Sequence, residues 1–133
     1  MIPYLSPLLL SESQCWALVA AVTMMALDML SGFLAAVHNR EVESKKMREG
    51  LFHKASLLLV VTLAYLLEVY STHVEGMGFQ IPLFVPACAL IVLMEVVSII
   101  ENIVKLNPGL ADTQLIGLFV KKGDDEGAQG DGR

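Results

Sequence analysis

Apolar residues in this chain gather into three long blocks, separated by two short polar stretches. The blocks cover about residues 15–37, 51–70 and 81–103. Each is longer than a usual core helix and matches the roughly 20 apolar residues that a helix needs to cross a bilayer. The pattern therefore predicts an all-α membrane protein with three transmembrane helices, together forming a transmembrane domain over about residues 15–110.

The start and the end of this domain carry recognisable helix signals. Ser11 and Gln14 match the S-x-x-Q capping box, which predicts that the first helix begins just after Ser11. Asn107-Pro108-Gly109 predicts the end of the third helix. Residues 1–14 hold no Lys or Arg, unlike the positive start of a signal peptide, so we interpret them as a retained extracytoplasmic segment.

Basic residues predict the orientation in the membrane. The first polar stretch, about residues 38–50, and the start of the second helix carry the densest basic group: Arg40, Lys45, Lys46, Arg48 and Lys54. Residues 1–14 and 71–80 hold no Lys or Arg. Since Lys and Arg accumulate in cytoplasmic loops, we expect the N-terminus outside, the C-terminus inside, and a cytoplasmic basic loop after the first helix.

The C-terminal region divides into two parts. Residues 111–122 combine several large apolar side chains with Lys121 and Lys122, which favours a short helix lying on the inner membrane surface. A loosely packed extension is the alternative. Residues 123–133 are rich in Gly and acid, and we expect a disordered acidic tail.

Composition agrees with a membrane protein and argues against several other classes. Hydrophobic residues make up 55% of the chain, mean hydropathy is +0.62, and much of the net charge of −5 comes from the acidic tail. Cys15 and Cys88 lie within apolar blocks and are interpreted as free thiols. No paired Cys/His spacing, nucleophile–base pair, phosphate loop or nucleic-acid patch is present. We expect no enzyme activity, metal, cofactor or nucleic-acid partner.

Asp28 is the sharpest polar feature of the first helix. An acid near the centre of a span costs about 2.5–3.5 kcal/mol, which nearly cancels what that segment's apolar residues contribute to insertion. Asp28 should therefore face protein or water rather than lipid. Small residues surround it at helical spacing and define a small-residue face: Asp28, Ser31, Gly32, Ala35 and Ala36. Such a face packs helices closely, either within one chain or between subunits.

A second polar feature lies in the last two turns of the third helix, near its expected cytoplasmic end. Four side chains fit within a third of the helix circumference and form a polar stripe: Glu95, Ser98, Glu101 and Asn102. We expect this stripe to face a bundle interior, a pore or the basic loop, whose cations could neutralise Glu95 and Glu101. An ordinary interfacial polar cap is the alternative reading.

These features together resemble a known family. Residues 28–36 follow an Asp…Gly…Ala pattern, residues 44–54 follow S-x-K-x-x-x-G-x-x-x-K, and residues 95–102 follow E-x-x-S-I-x-E-N, with Asn107-Pro108 behind them. The chain resembles the bacteriophage holin family that includes the clostridial toxin-secretion holins. The resemblance covers roughly residues 25–110, and the E-x-x-S-I-x-E-N run is its most specific part.

The resemblance implies a multi-pass protein of the bacterial cytoplasmic membrane that assembles with copies of itself. Such proteins form large lesions through which an endolysin, or a secreted toxin, leaves the cytoplasm. Two alternatives remain open from the residues themselves. The first is a small-ion channel or pinhole-type depolariser that uses the same buried acids, and the second is a non-conducting accessory membrane subunit.

Overall fold

A computed structural model describes residues 8–78 and 80–112 of the chain. Within these residues the protein is all-helical: α1 spans Glu12–His38, α2 spans Ser44–His73, α3 spans Phe84–Leu106, and a short 3-10 helix follows at Pro108–Asp112. All three α-helices are long and apolar enough, by length and composition, to cross a membrane. The three predicted spans are therefore confirmed at this level.

The predicted capping box starts α1. The Ser11 hydroxyl accepts a hydrogen bond from the Gln14 backbone N–H at 3.3 Å, and the Gln14 side chain accepts one from the Ser11 N–H at 2.9 Å. These reciprocal bonds satisfy two donors that a helix start otherwise leaves unpaired. At its other end α1 stops at Asn39, and Arg40, with φ of 57°, turns the chain toward α2.

The second helix begins earlier than its apolar pattern indicates. α2 starts at Ser44, so the connection from α1 covers only residues 39–43. The stretch after Ser44 is rich in good helix formers, which extends the helix at its N-terminal end beyond the apolar block. The prediction of a basic loop reaching to about residue 50 is therefore wrong: Lys45, Lys46 and Arg48 lie in the first turns of α2.

A side chain of α2 caps the start of α3. Glu68 accepts hydrogen bonds from the Leu83 and Phe84 backbone N–H groups, each at 2.8 Å, through one carboxylate oxygen. Its other oxygen accepts from the Gln14 side chain of α1 at 2.9 Å. A carboxylate suits this place because a helix N-terminus presents unpaired donors and partial positive charge. Glu68 thus ties all three helices together at what we name the capped end.

An apolar core fills the half of the bundle next to the capped end. Its buried side chains are contributed by all three helices: Ala21, Met25, Val61, Phe84, Cys88 and Ile91. Tyr65 packs edge-on against Phe84, with ring centroids 5.4 Å apart. α3 packs extensively on α1 and to a smaller extent on α2, whereas α1 and α2 touch each other sparsely. We name the opposite end, where α1 stops and α2 begins, the basic end.

Large apolar side chains cover the outside of the bundle, as a lipid environment requires. Trp16, Leu59 and Leu93 are each about two-thirds exposed or more, at 69%, 71% and 65%. Of the remaining predicted regions, most lie outside the described residues. These are residues 1–7 of the N-terminal segment, 113–122 of the expected surface helix and the whole of the acidic tail. Residues 111 and 112 belong to the 3-10 helix.

Candidate functional site

Lys54 lies at the centre of the most polar part of the bundle. It is ten residues beyond the start of α2, about 15 Å from the basic end at 1.5 Å per residue. Its Nζ atom lies 2.8 Å from Asp28 Oδ2 on α1 and 2.5 Å from Glu95 Oε2 on α3. Only 9% of the Lys54 side chain is exposed. The sequence placed Lys54 at the start of the second helix and grouped it with the basic loop, whereas α2 carries it into the interior, in contact with Glu95.

Two further polar residues complete this group. Asn102 donates from Nδ2 to Asp28 Oδ1 and to the Ser31 hydroxyl, each at 3.1 Å. Ser31 in turn donates to the Asp28 backbone carbonyl at 3.0 Å. We name Asp28, Ser31, Lys54, Glu95 and Asn102 the charge cluster. It brings together members of all three residue groups that the sequence singled out.

The charge cluster has more acid than base. Two carboxylates share the single ammonium of Lys54, which leaves a formal excess of one negative charge when all three are ionised. Burying charges away from water is costly, and mutual attraction repays the cost only where partners are close and hydrogen bonds are complete. The short contacts around Lys54 and the amide of Asn102 meet this requirement. Lys54 is the residue on which the compensation of both acids depends.

The small-residue face of α1 packs within the chain. Ser31 and Ala35 are buried, and a Cβ atom built on Gly32 would lie 3.4 Å from Asn102 Nδ2. This distance is about van der Waals contact, so a side chain larger than that of alanine would press on the amide that bonds Asp28. Ala36, the last member of the face, is half-buried. In the structure this face serves contact between α1 and α3.

The polar stripe of α3 is divided between the interior and the surface. Glu95 and Asn102 are buried, Ser98 is half-buried, and Glu101 is exposed. Successive helical residues are turned by about 100°, so the contact with α1 covers Asn102 and leaves Glu101 outside. Among the described residues Glu101 makes no ion pair, so the expected neutralisation by basic residues reaches Glu95 alone.

The other basic residues stay at the surface. Lys45 faces Glu49 at 3.9 Å and Lys46 faces Glu43 at 3.5 Å, with all four side chains more than half exposed. Exposed pairs of this kind contribute little to stability. Arg40 and Arg48 are exposed as well. Of the five basic residues singled out by the sequence, only Lys54 reaches the buried acids.

A cavity of about 350 Å³ connects the basic end with the charge cluster. Exposed residues of the basic end line its mouth, including Asn39 and Lys46. Asp28, Lys54 and Asn102 line its inner part. The cavity exists because α1 and α2 both pack on α3 but make few contacts with each other.

Sequence reasoning did not recognise the role of Glu68 as the cap of α3. The available signal was weak: α3 has no capping side chain of its own, because Leu83 precedes it. An acid elsewhere in the chain was therefore needed for its first N–H groups. For metals, the described residues contain no group of three or more His, Cys, Asp or Glu side chains able to hold an ion.

Three membrane-length helices around a buried charge cluster define a small, multi-pass α-helical membrane protein. The sequence profile of the bacteriophage holin family matches residues 10–112, which is more than three quarters of the chain. The chain therefore belongs to the bacteriophage holin family, as its motifs predicted. No curated protein and no solved structure matched it.

Proposed function

We propose that this chain is a holin of the bacterial cytoplasmic membrane. In this proposal it accumulates as a closed bundle, then assembles with further copies into lesions that let an endolysin cross to the cell wall. A secreted toxin is the alternative cargo. Membership of the family supports the proposal over the whole helical region.

The observation that carries the proposal is the buried pairing of Lys54 with Asp28 and Glu95. Each of the three charges comes from a different helix, and each contacts a group of opposite charge within the same chain. A monomer of this kind can stay in the membrane without exposing charge to lipid. The cluster has one acid in excess, and α1 and α2 make few contacts with each other. In this proposal the helices can therefore rearrange so that the same charged groups pair between chains.

For topology we propose that the basic end faces the cytoplasm and that residues before α1 face outward. The exposed Lys45, Lys46 and Arg48 near that end support this orientation, because Lys and Arg are retained inside. The test uses reporter enzymes fused to either terminus. A reporter that is active only outside the membrane should work at the N-terminus and fail at the C-terminus. The reverse pattern would overturn the orientation.

The decisive experiment records membrane potential and the escape of a folded cytosolic enzyme from bacteria expressing the chain. We expect an abrupt collapse of the potential after a lag, with escape of the enzyme. Lysis should follow when a wall-degrading enzyme is supplied. Retention of the folded enzyme after the collapse would contradict the large-lesion function.

A second candidate function is a small-ion channel or pinhole-type depolariser. The cavity that reaches Asp28 favours it, because a polar path from one surface to a buried carboxylate is one half of a cation route. In the same experiment this function gives loss of potential without escape of the enzyme. If neither quantity changes although the chain is inserted, both pore functions fail and a non-conducting accessory subunit becomes the better account.

A further inference from the structure

We propose that the cavity at the basic end is a hydrated vestibule that admits water and small cations to Asp28 while the bundle is closed. It would be a binding site present in the dormant chain, separate from any lesion. The proposal concerns access from one face of the membrane only.

The inner part of the cavity has the chemistry of a wet site. Polar atoms of Asp28, Lys54, Ser98 and Asn102 meet there, whereas an empty cavity in a protein is typically apolar. A volume of about 350 Å³ holds several water molecules, each of which takes about 30 Å³ in the liquid. Asp28 retains 15% exposure of its side chain, although it lies about 15 Å inside α1.

The charges around the cavity favour cations over anions. At the mouth, Glu43 pairs with Lys46, and the lining also carries Glu41 and Lys105, whose formal charges cancel. At the inner end, Lys54 is matched by Asp28, and Glu95 behind it remains in excess. A single excess charge in a narrow, weakly screened space raises the local concentration of small cations.

The apolar core closes the other side. Met25 lies about one helical turn from Asp28 toward the capped end, and Cys88 is fully buried beyond it. Met25, Val61 and Ile91 come from three different helices, so they seal the bundle around its whole circumference. Water that enters from the basic end therefore stops at the charge cluster, and the closed chain does not conduct.

Matched cysteine pairs test the vestibule. In a chain carrying Cys15→Ser and Cys88→Ala, Ser98→Cys places a thiol in the cavity, and Val97→Cys places one at nearly the same depth on the lipid side. Met29→Cys and Leu30→Cys form a second pair on α1, because Met29 lines the cavity and Leu30, at nearly the same depth, is exposed outside it; this pair keeps the test valid if one variant does not fold.

Gly50→Cys completes the set at the mouth of the cavity, where a new Cβ meets nothing within 4 Å. This variant reports which membrane face carries the mouth. The probes are two membrane-impermeant methanethiosulfonates, one cationic and one anionic, applied to inverted and to right-side-out vesicles. The vesicles are prepared from cells whose membrane potential is intact.

We expect Ser98→Cys and Met29→Cys to react from the same face as Gly50→Cys, and Val97→Cys and Leu30→Cys to stay unmodified. A lipid-buried thiol does not form the thiolate that reacts. In the cavity the ratio of the cationic to the anionic reaction rate should be about tenfold higher than the ratio for the same two reagents with a small thiol in solution, as expected for one nearby excess charge.

Two outcomes would overturn the proposal. If both cavity thiols are inert although Gly50→Cys reacts, an acyl chain rather than water fills the space. If the rate ratio of the two reagents in the cavity equals their ratio with the small thiol in solution, the site has no preference for cations. Neither outcome depends on lesion formation, because a chain that never releases an enzyme can still be labelled.

Discussion

Lys54 Nζ on α2 lies 2.5 Å from Glu95 Oε2 on α3, although the two residues are 41 positions apart in the chain. Their side chains are 9% and 4% exposed, so the contact between the two charges is largely shielded from bulk solvent. Asp28 approaches the same ammonium from α1. A single side chain therefore holds the three helices in one relative depth and rotation.

Loss of the Lys54 ammonium should destabilise the bundle strongly. Lys54→Met keeps an unbranched apolar side chain of similar length but leaves Asp28 and Glu95 without compensation. Removing one partner of a buried ion pair costs about 3–5 kcal/mol. We expect a loss of this size in the free energy of unfolding, measured by circular dichroism in mixed detergent micelles.

The matched control is Lys45→Met on the same helix. Lys45 is 78% exposed in its side chain and faces Glu49 at 3.9 Å, so its loss should change stability by less than about 0.5 kcal/mol. Equal stabilities for the two variants would contradict a central role for Lys54.

Two glycines should respond in opposite directions to added volume. Gly50→Ala meets nothing within 4 Å, and alanine is favoured over glycine in a helix by about 0.5–1 kcal/mol. Gly32→Val instead presses on Asn102 and weakens its bonds to Asp28 and Ser31. Overpacking of this kind costs about 1–3 kcal/mol. Unfolding in mixed micelles measures both, and stabilisation by Gly32→Val would refute the close α1–α3 contact.

Removal of the Glu68 carboxylate should loosen the start of α3. Glu68→Ala leaves the Leu83 and Phe84 N–H groups without their acceptor, at a cost of about 1–3 kcal/mol. We expect faster deuterium uptake at these two amides, measured by hydrogen exchange and mass spectrometry. Glu75→Ala, an exposed acid near the same end, is the control and should leave their exchange unchanged.

If the chain acts as a holin, the acid excess should influence when lesions form. Glu95→Gln leaves a balanced Asp28–Lys54 pair, which lowers the cost of burial and stabilises the closed bundle. We expect a later collapse of membrane potential at equal membrane levels, and the same direction for Asp28→Asn. Lys54→Met, which increases the excess, should advance the collapse.

The control for timing is Glu101→Gln, which neutralises an exposed acid six residues from Glu95 on the same helix. It should leave the lag unchanged. Unaltered timing in both Glu95→Gln and Asp28→Asn would mean that the charge cluster does not govern triggering.

The number of membrane helices and the start of α1 followed from the sequence by itself. An apolar block of sufficient length has one favourable environment, and a capping box forms between residues three apart, so both are local properties. The motif in residues 95–102 likewise indicated the family, because a motif depends on the order of residues along the chain and not on their tertiary contacts. The polarity of residues 44–50 led to a predicted start of α2 that is too late in the chain. Charged residues that favour helix formation can extend a helix beyond the apolar block.

Only the tertiary structure decided which polar residues act together. A helical projection places Glu95 and Glu101 on the same polar stripe and does not show which of them is buried. Contact with α1 and α2 buries Glu95 and leaves Glu101 exposed. Glu68 became the cap of α3 because the two helices meet at that end. Such pairings depend on the relative depth and rotation of whole helices, which packing determines and no local pattern contains.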